Sequence, residues 1–294
     1  MRKIILFYNL LLLYNIVFSQ NIFLSKYNKK NNDNNKYATN NIKCLMKYEY
    51  EGKDSFLINE KKYNKAGYKV EDIIYNRDGS VLMKNIIVYD DKGNKIEELS
   101  YDETGKLSYR YVYVYKNEKL QYDILYNDGD SIINIKTEYL YDSNGKLIEE
   151  LEYNKYGELE SRNKYIYNSD NNIDYIQLSD NYQDSCKYKF ILNKNGDIIE
   201  WYKETPHCKI KHTYNYDRNG NKIESARYSD EKLQSRYKYF YSKNNELTEE
   251  QEYNKNNELK RRILYKYNDK GLLKEERYYN NNGLLESIYR FYYR

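Results

Sequence analysis

Residues 141–167 read YDSNGKLIEELEYNKYGELESRNKYIY, and the reading of this stretch decides the fold. It contains two copies of one short phrase, Tyr141-Asp142-Ser143-Asn144-Gly145 and Tyr153-Asn154-Lys155-Tyr156-Gly157. The second residue of each is Asp or Asn, whose short side chain closes a turn on its own backbone. The fifth is Gly, which accepts a left-handed backbone. A type I turn followed by a left-handed residue has this pattern, and it joins antiparallel strands. Lys146 to Tyr153 lies between the two turns. Its local pattern suits a helix, but eight residues between two turn signals are too few for one, so it is read as a strand. Lys164-Tyr165-Ile166-Tyr167 alternates as a strand does.

Outward from this stretch the Tyr residues keep time. Tyr63, Tyr89, Tyr115, Tyr141 and Tyr167 are each 26 apart, as are Tyr241, Tyr267 and Tyr293. Tyr216 lies 25 before Tyr241, and Leu192 takes the equivalent place between Tyr167 and Tyr216. A second set, Tyr75, Tyr101, Tyr153, Tyr228, Tyr253 and Tyr279, follows about 12 residues after the first. Where the fifth turn residue is not Gly it is often Asn, as at Asn171, Asn245 and Asn257. Asn is the other residue that tolerates the left-handed region. A fixed period of this size marks a repeat array. The expected fold is all-β: an elongated antiparallel meander of about 18–20 strands built from 26-residue (12+14) hairpin repeats. It would take the form of a single-layer twisted sheet or an open curled solenoid, roughly 85–95 Å long at strand spacing.

Composition agrees. Of 294 residues 41 are Tyr and 39 Asn, while Leu, Ile, Val and Phe sum to only 66, which excludes a helical membrane bundle and a large aliphatic core. Met1 to Ser19 reads as a signal peptide, with Arg2 and Lys3 before an apolar run and Val17-Phe18-Ser19 as the cleavage site. The segment 20–41, rich in Asn and Lys, is expected to be a disordered leader, and 42–294 the repeat array. The product is expected in the periplasm, at the cell surface or outside the cell, with no membrane span. A lipid-embedded barrel is not expected, because Glu and Lys recur in mid-strand. Net charge is +4 with both signs interspersed, so a nucleic-acid partner is not expected.

The phrase Tyr-Asp-x-x-Gly followed by a strand, as in Tyr141 to Leu147 and Tyr101 to Leu107, resembles the YD repeats of the RHS family. The resemblance spans roughly Tyr63 to Arg294. It implies a bacterial secreted or surface protein with curling β-sheets; some members bind carbohydrate and others form shells around a toxin domain. The 26-residue unit is longer than that family's, and Asn or Lys mostly replaces the Arg that follows the turn Gly there. MORN-like hairpin repeats are a weaker match, since their paired Gly pattern is missing.

One unit, about residues 168–215, breaks the rhythm and collects the rare residues Cys186, Trp201, Pro206, His207, Cys208 and His212. Trp201 and Tyr202 are candidates for a sugar-stacking platform, with His207 and His212 as flanking polar groups. Cys186 and Cys208 are a candidate disulfide if the sheet breaks near Pro206, since one intervening strand would otherwise hold them too far apart. A drifted repeat with no special role is the competing reading. No metal site or cofactor is expected, the Asp and Asn turns being explained by turn formation alone. No catalytic arrangement is present, and the Glu pairs such as Glu149-Glu150 and Glu249-Glu250 are read as a solvated feature of the repeat, not as catalytic carboxylates. The expected function is a non-enzymatic binding module for a glycan or a protein. The alternative is an assembly protein that pairs through an open last strand, Ser287 to Arg294.

Overall fold

In the computed structural model, residues 33–127, 132–168, 173–179 and 186–294 are described. A short helix, α1 (Asp33–Thr39), precedes twenty strands. The first five are β1 (Cys44–Glu51), β2 (Asp54–Tyr63), β3 (Lys69–Tyr75), β4 (Val81–Tyr89) and β5 (Lys95–Tyr101). Then come β6 (Leu107–Lys116), β7 (Lys119–Asn127), β8 (Ile132–Tyr141), β9 (Leu147–Asn154) and β10 (Leu159–Tyr167). Next are β11 (Ile173–Ser179), β12 (Cys186–Leu192), β13 (Ile198–Glu204) and β14 (Lys209–Tyr216) of the irregular unit, and β15 (Lys222–Ser229). The last are β16 (Lys232–Tyr241), β17 (Leu247–Asn254), β18 (Leu259–Tyr267), β19 (Leu273–Asn280) and β20 (Leu285–Tyr293). Every strand pairs antiparallel with its neighbours in sequence, so the chain is an all-β meander.

The turns form as their residues dictate. In Tyr89 to Asn94, the Asp90 amide donates to the Asn94 carbonyl (2.9 Å) and the Gly93 amide to the Asp90 carbonyl (3.0 Å). Asp90 Oδ1 accepts from the amides of Lys92 (2.9 Å) and Asn94 (2.8 Å). Asn245 and Asn257 take the left-handed place at φ 62° and 66°. Asn171 lies outside the described residues. Two hairpins instead turn on Asn117-Glu118 and Asp230-Glu231, with all four residues at positive φ.

The ends of the meander meet. β20 pairs with β1 from Leu45↔Tyr293 to Tyr50↔Ile288, while β1 also pairs with β2. The Arg294 amide donates to the Cys44 carbonyl (2.9 Å), and the Lys43 and Cys44 amides donate to the Arg294 carbonyl (2.7 and 2.9 Å). The last strand therefore has a partner on both sides, which overturns the expectation of an open edge for self-association. Twenty strands at strand spacing give a circumference of roughly 95 Å, far above that of an eight-stranded barrel.

Alternation sorts the side chains into two faces. The inner face carries most of the buried residues, among them Tyr113, Leu125, Tyr139, Tyr165, Tyr188, Phe190 and Ile263. The outer face carries exposed Val88, Leu140, Ile166 and Phe240, each one residue before a Tyr of the 26-residue series. The middle of its strands is charged, with Glu97–Arg110 at 2.6 Å, Glu200–Lys211 at 3.3 Å and Glu149 between Arg162 and Lys164. Each Lys or Arg at the midplane of a bilayer would cost roughly 2–4 kcal/mol, so this band is not built for lipid.

The period of the first Tyr series has a physical cause. At one rim seven of these rings point inward and donate their hydroxyl to a carbonyl of the preceding strand. Tyr89 reaches Lys69 (3.0 Å), Tyr115 Lys95 (3.1 Å) and Tyr141 Leu120 (2.8 Å). Tyr167 reaches Leu147 (2.7 Å), Tyr216 Ile198 (2.9 Å), Tyr241 Lys222 (2.9 Å) and Tyr293 Leu273 (2.7 Å). Burial pushes Tyr89, Tyr141, Tyr216 and Tyr241 up to about 12, so these hydroxyls remain protonated donors. The second series is different: Tyr101, Tyr153 and Tyr253 sit on the outer face at the opposite rim, opposite Leu107, Leu159 and Leu259. The two halves of the 12+14 unit thus serve opposite faces.

Seven residues of the expected leader, Asp33–Thr39, form α1. It lies at the junction of β1, β2 and β20, with the Tyr37 ring 4.4 Å from Tyr63 and 6.5 Å from Tyr293. Gly67 permits this approach, because a Cβ there would lie 1.9 Å from the Asn34 carbonyl oxygen. The signal-peptide reading falls on residues outside those described.

Candidate functional site on the inner face

Regular units place a carboxylate on the inner face of the odd strands. Asp72 accepts from Asn59 and Lys69 (both 2.6 Å), Glu98 from Lys95 (2.8 Å) and Glu276 from Lys47 (3.2 Å). Among the described residues no cation hydrogen-bonds to the inner carboxylates of β7 and β9, although the Lys95 charge acts on Asp123. Asp123 accepts from the Tyr139 hydroxyl (2.5 Å), and Glu150 from the Asn163 amide (3.0 Å) and the Tyr165 hydroxyl. Burial pushes Asp123 up to about 6 and both Glu150 and Glu152 up to about 7. The expectation of solvated Glu pairs is half right. Glu149 is outside with Arg162 and Lys164, but Glu150 is 1% exposed, because consecutive strand residues face opposite ways and one face is closed off.

The carboxylate row stops in the irregular unit. The inner register runs Phe190↔Trp201↔His212↔Arg227 across β12 to β15. Trp201 stacks on His212 with centroids 4.2 Å apart and planes 8° from parallel. Phe190 and Tyr188 approach the indole from β12, each at 6.4 Å. The indole N–H donates to the Tyr214 hydroxyl (2.9 Å). Burial, and then the Arg227 charge, push His212 down to about 4, so it is a neutral imidazole at pH 7.

Of the six residues singled out in the sequence, the structure brings only Trp201 and His212 together. Tyr202 lies on the outer face, hydrogen-bonded to Glu200 with Lys211 over its ring at 5.3 Å, so a platform of Trp201 and Tyr202 does not form. Adjacent strand residues cannot share a face. His207 is exposed in the turn from β13 to β14, where its amide donates to the Thr205 hydroxyl (3.3 Å). Cys186 and Cys208 are not joined in a disulfide, and this corrects the disulfide expectation. β13 runs between β12, which begins at Cys186, and β14, which begins just after Cys208, and the turn at Pro206 does not break the sheet. Sequence reasoning missed Phe190 and Tyr214. The signal was available: pairing β12, β13 and β14 on their turns places 190, 201 and 212 in one row. Among the described residues no group of His, Cys, Asp and Glu is arranged to hold a metal ion.

No protein-family model and no curated protein matches the sequence. A porin-like protein from Bacteroides uniformis shares 9% identity over 86% of this chain and 98% of its own, with a TM-score of 0.38. A porin-like protein from Bacteroides vulgatus shares 11% over 86% and 99%, with a TM-score of 0.30. A eukaryotic initiation factor shares 6% over 86% and 98%, with a TM-score of 0.32. Scores this low assign neither a fold family nor a role to the chain.

Proposed function

We propose that the chain is an exported, non-enzymatic binding module of the cell envelope or the extracellular space. Its ligand is a neutral, hydroxyl-rich molecule such as a glycan, held against the inner face of the irregular unit. One observation carries this reading. The inner carboxylates of the regular units give way at Trp201 to an aromatic row whose imidazole is uncharged at pH 7. The Trp201–His212 pair and the Tyr214 hydroxyl offer aromatic surface and neutral hydrogen-bonding groups, which suit an uncharged polar ligand, with Arg227 and Lys203 beside them as additional donors. Phe190 and His212 flank the indole, so contact is through ring edges and the Tyr214 hydroxyl, not by stacking a sugar on Trp201.

A glycan-array screen of the secreted chain tests the reading. A saturable hit that is lost in Trp201→Ala and kept in Tyr202→Ala supports it, because the two side chains lie on opposite faces of one strand. A clean negative with a folded β spectrum removes it. Assembly through the last strand is disfavoured, because β20 is already paired with β1.

A further inference from the structure

A cavity of about 380 Å³ opens at the junction of the first and last strands, lined by Ile42, Leu272, Phe291 and Tyr292 and by Lys270, Lys274 and Arg290. Its apolar floor is firm, since Ile42 and Leu272 are buried. Its charged lining is entirely basic. Two carboxylates lie nearby: Glu275 on the outer face is already committed to Lys266 (3.6 Å), Arg277 (2.7 Å) and Arg290 (3.0 Å), and Glu246 sits beside Gly271, close to the Lys36 ammonium. Among the described residues neither Lys270 nor Lys274 makes an ion pair.

The repeat supplies an internal control. The residue after the turn Gly or Asn is polar or aromatic elsewhere at this rim: Tyr68, Asn94, Lys146, Asp197, Asn221 and Glu246. Here it is Leu272. Two residues further on, the other units carry Val70, Ile96, Ile148, Ile199, Ile223 and Thr248. Here it is Lys274. The unit beside the cavity has therefore gained an apolar residue at one position and a cation at another. Both changes lie on one cavity wall. Ile42, just ahead of β1, completes the floor.

We propose that this cavity binds a small organic anion with an apolar body, of the class of medium-chain carboxylates. The chain of such a ligand rests on Ile42 and Leu272, and its carboxylate makes charge-assisted contacts with Lys270 and Lys274. The volume is that of an ordinary small-molecule site. The site is separate from the inner aromatic row, so its failure leaves the proposed function untouched.

Titration calorimetry of the full chain with decanoate, with decanol as the uncharged control, tests this. The expected result is saturable binding of one decanoate per chain, with decanol at least tenfold weaker. Lys270→Glu with Lys274→Glu reduces decanoate affinity at least tenfold, and Leu272→Asn, the residue type that other units carry there, also weakens it. Lys243→Glu on the neighbouring turn has no effect. Decanoate binding that is absent, that is matched by decanol, or that survives the double charge reversal overturns the proposal. Unchanged circular dichroism in each variant separates loss of the site from loss of the fold.

Discussion

The regular units and the irregular one solve the same problem with opposite chemistry. In β7 to β10 the inner face is held by buried carboxylates that receive phenol and amide donors, as Glu150 does from Asn163 and Tyr165. In β12 to β14 the same face is held by ring contacts, with Trp201 between Phe190 and His212. The difference teaches that the backbone repeat and the inner lining are separable. The turns and the Tyr hydroxyl clasps maintain the period, and the lining is free to change within it. Tyr216 still clasps Ile198 at the edge of the irregular unit.

The sharpest way to break this comparison is to give the irregular unit a regular residue. Trp201→Glu places an acid between Phe190 and His212, removes the indole and provides no donor in exchange. It is expected to cost about 4 kcal/mol in urea denaturation. If Trp201→Glu is tolerated, the unit is a drifted repeat and its aromatic row has no structural role.

pH separates the two regions by sign. The carboxyl of Glu150 is raised from its ordinary value to about 7 in the fold. Its favourable contribution is therefore complete below the unfolded value and is lost as pH rises through about 7. Glu150→Gln removes that loss and should be more stable than the parent by ~2–3 kcal/mol at pH 8, the gap closing toward pH 4.5. His212 runs the other way. Its value is depressed to about 4, so its contribution is present above the unfolded value and is lost as pH falls toward about 4. Replacing His212 by Phe should flatten the acid side of the stability profile, measured as the denaturation midpoint from pH 7 to 4. An effect of the same sign at both sites would end the comparison.

Smaller effects sharpen it. Tyr141→Phe removes one clasp to the Leu120 carbonyl and should cost about 1 kcal/mol. Glu231 adopts φ 66° in its two-residue turn, a conformation that suits Gly. Glu231→Gly is expected to raise stability by roughly 1 kcal/mol, read as an upward shift of the thermal midpoint.

The architecture was legible because turn chemistry is local. Asp90, Asn154 and Asp217 close their turns with their own side chains, and a sequence displays that directly. Strand identity and period follow from those turns. Closure was not legible, since it depends on accumulated twist and on Leu45 finding Tyr293 across the whole array, which no local pattern records. α1 was hidden in an Asn-rich stretch because its stability comes from Tyr37 packing on Tyr63, a tertiary contact. At the candidate site, Trp201 and His212 stood out by rarity. Tyr202 was misplaced by ignoring strand alternation, and Phe190 and Tyr214 were overlooked because aromatic residues are common here and only register distinguishes them.

One hairpin unit is repeated until its ends meet, and cross-linking tests that closure. In a chain with Cys44, Cys186 and Cys208 replaced by Ser, Met46→Cys and Tyr292→Cys are register partners across the β1–β20 junction. Val88→Cys and Glu97→Cys are the matching pair in a regular hairpin. Mild oxidation should form an intrachain disulfide in both, with the protein remaining monomeric. A disulfide in the hairpin pair but none within the chain at the junction, or one only between chains, would contradict closure.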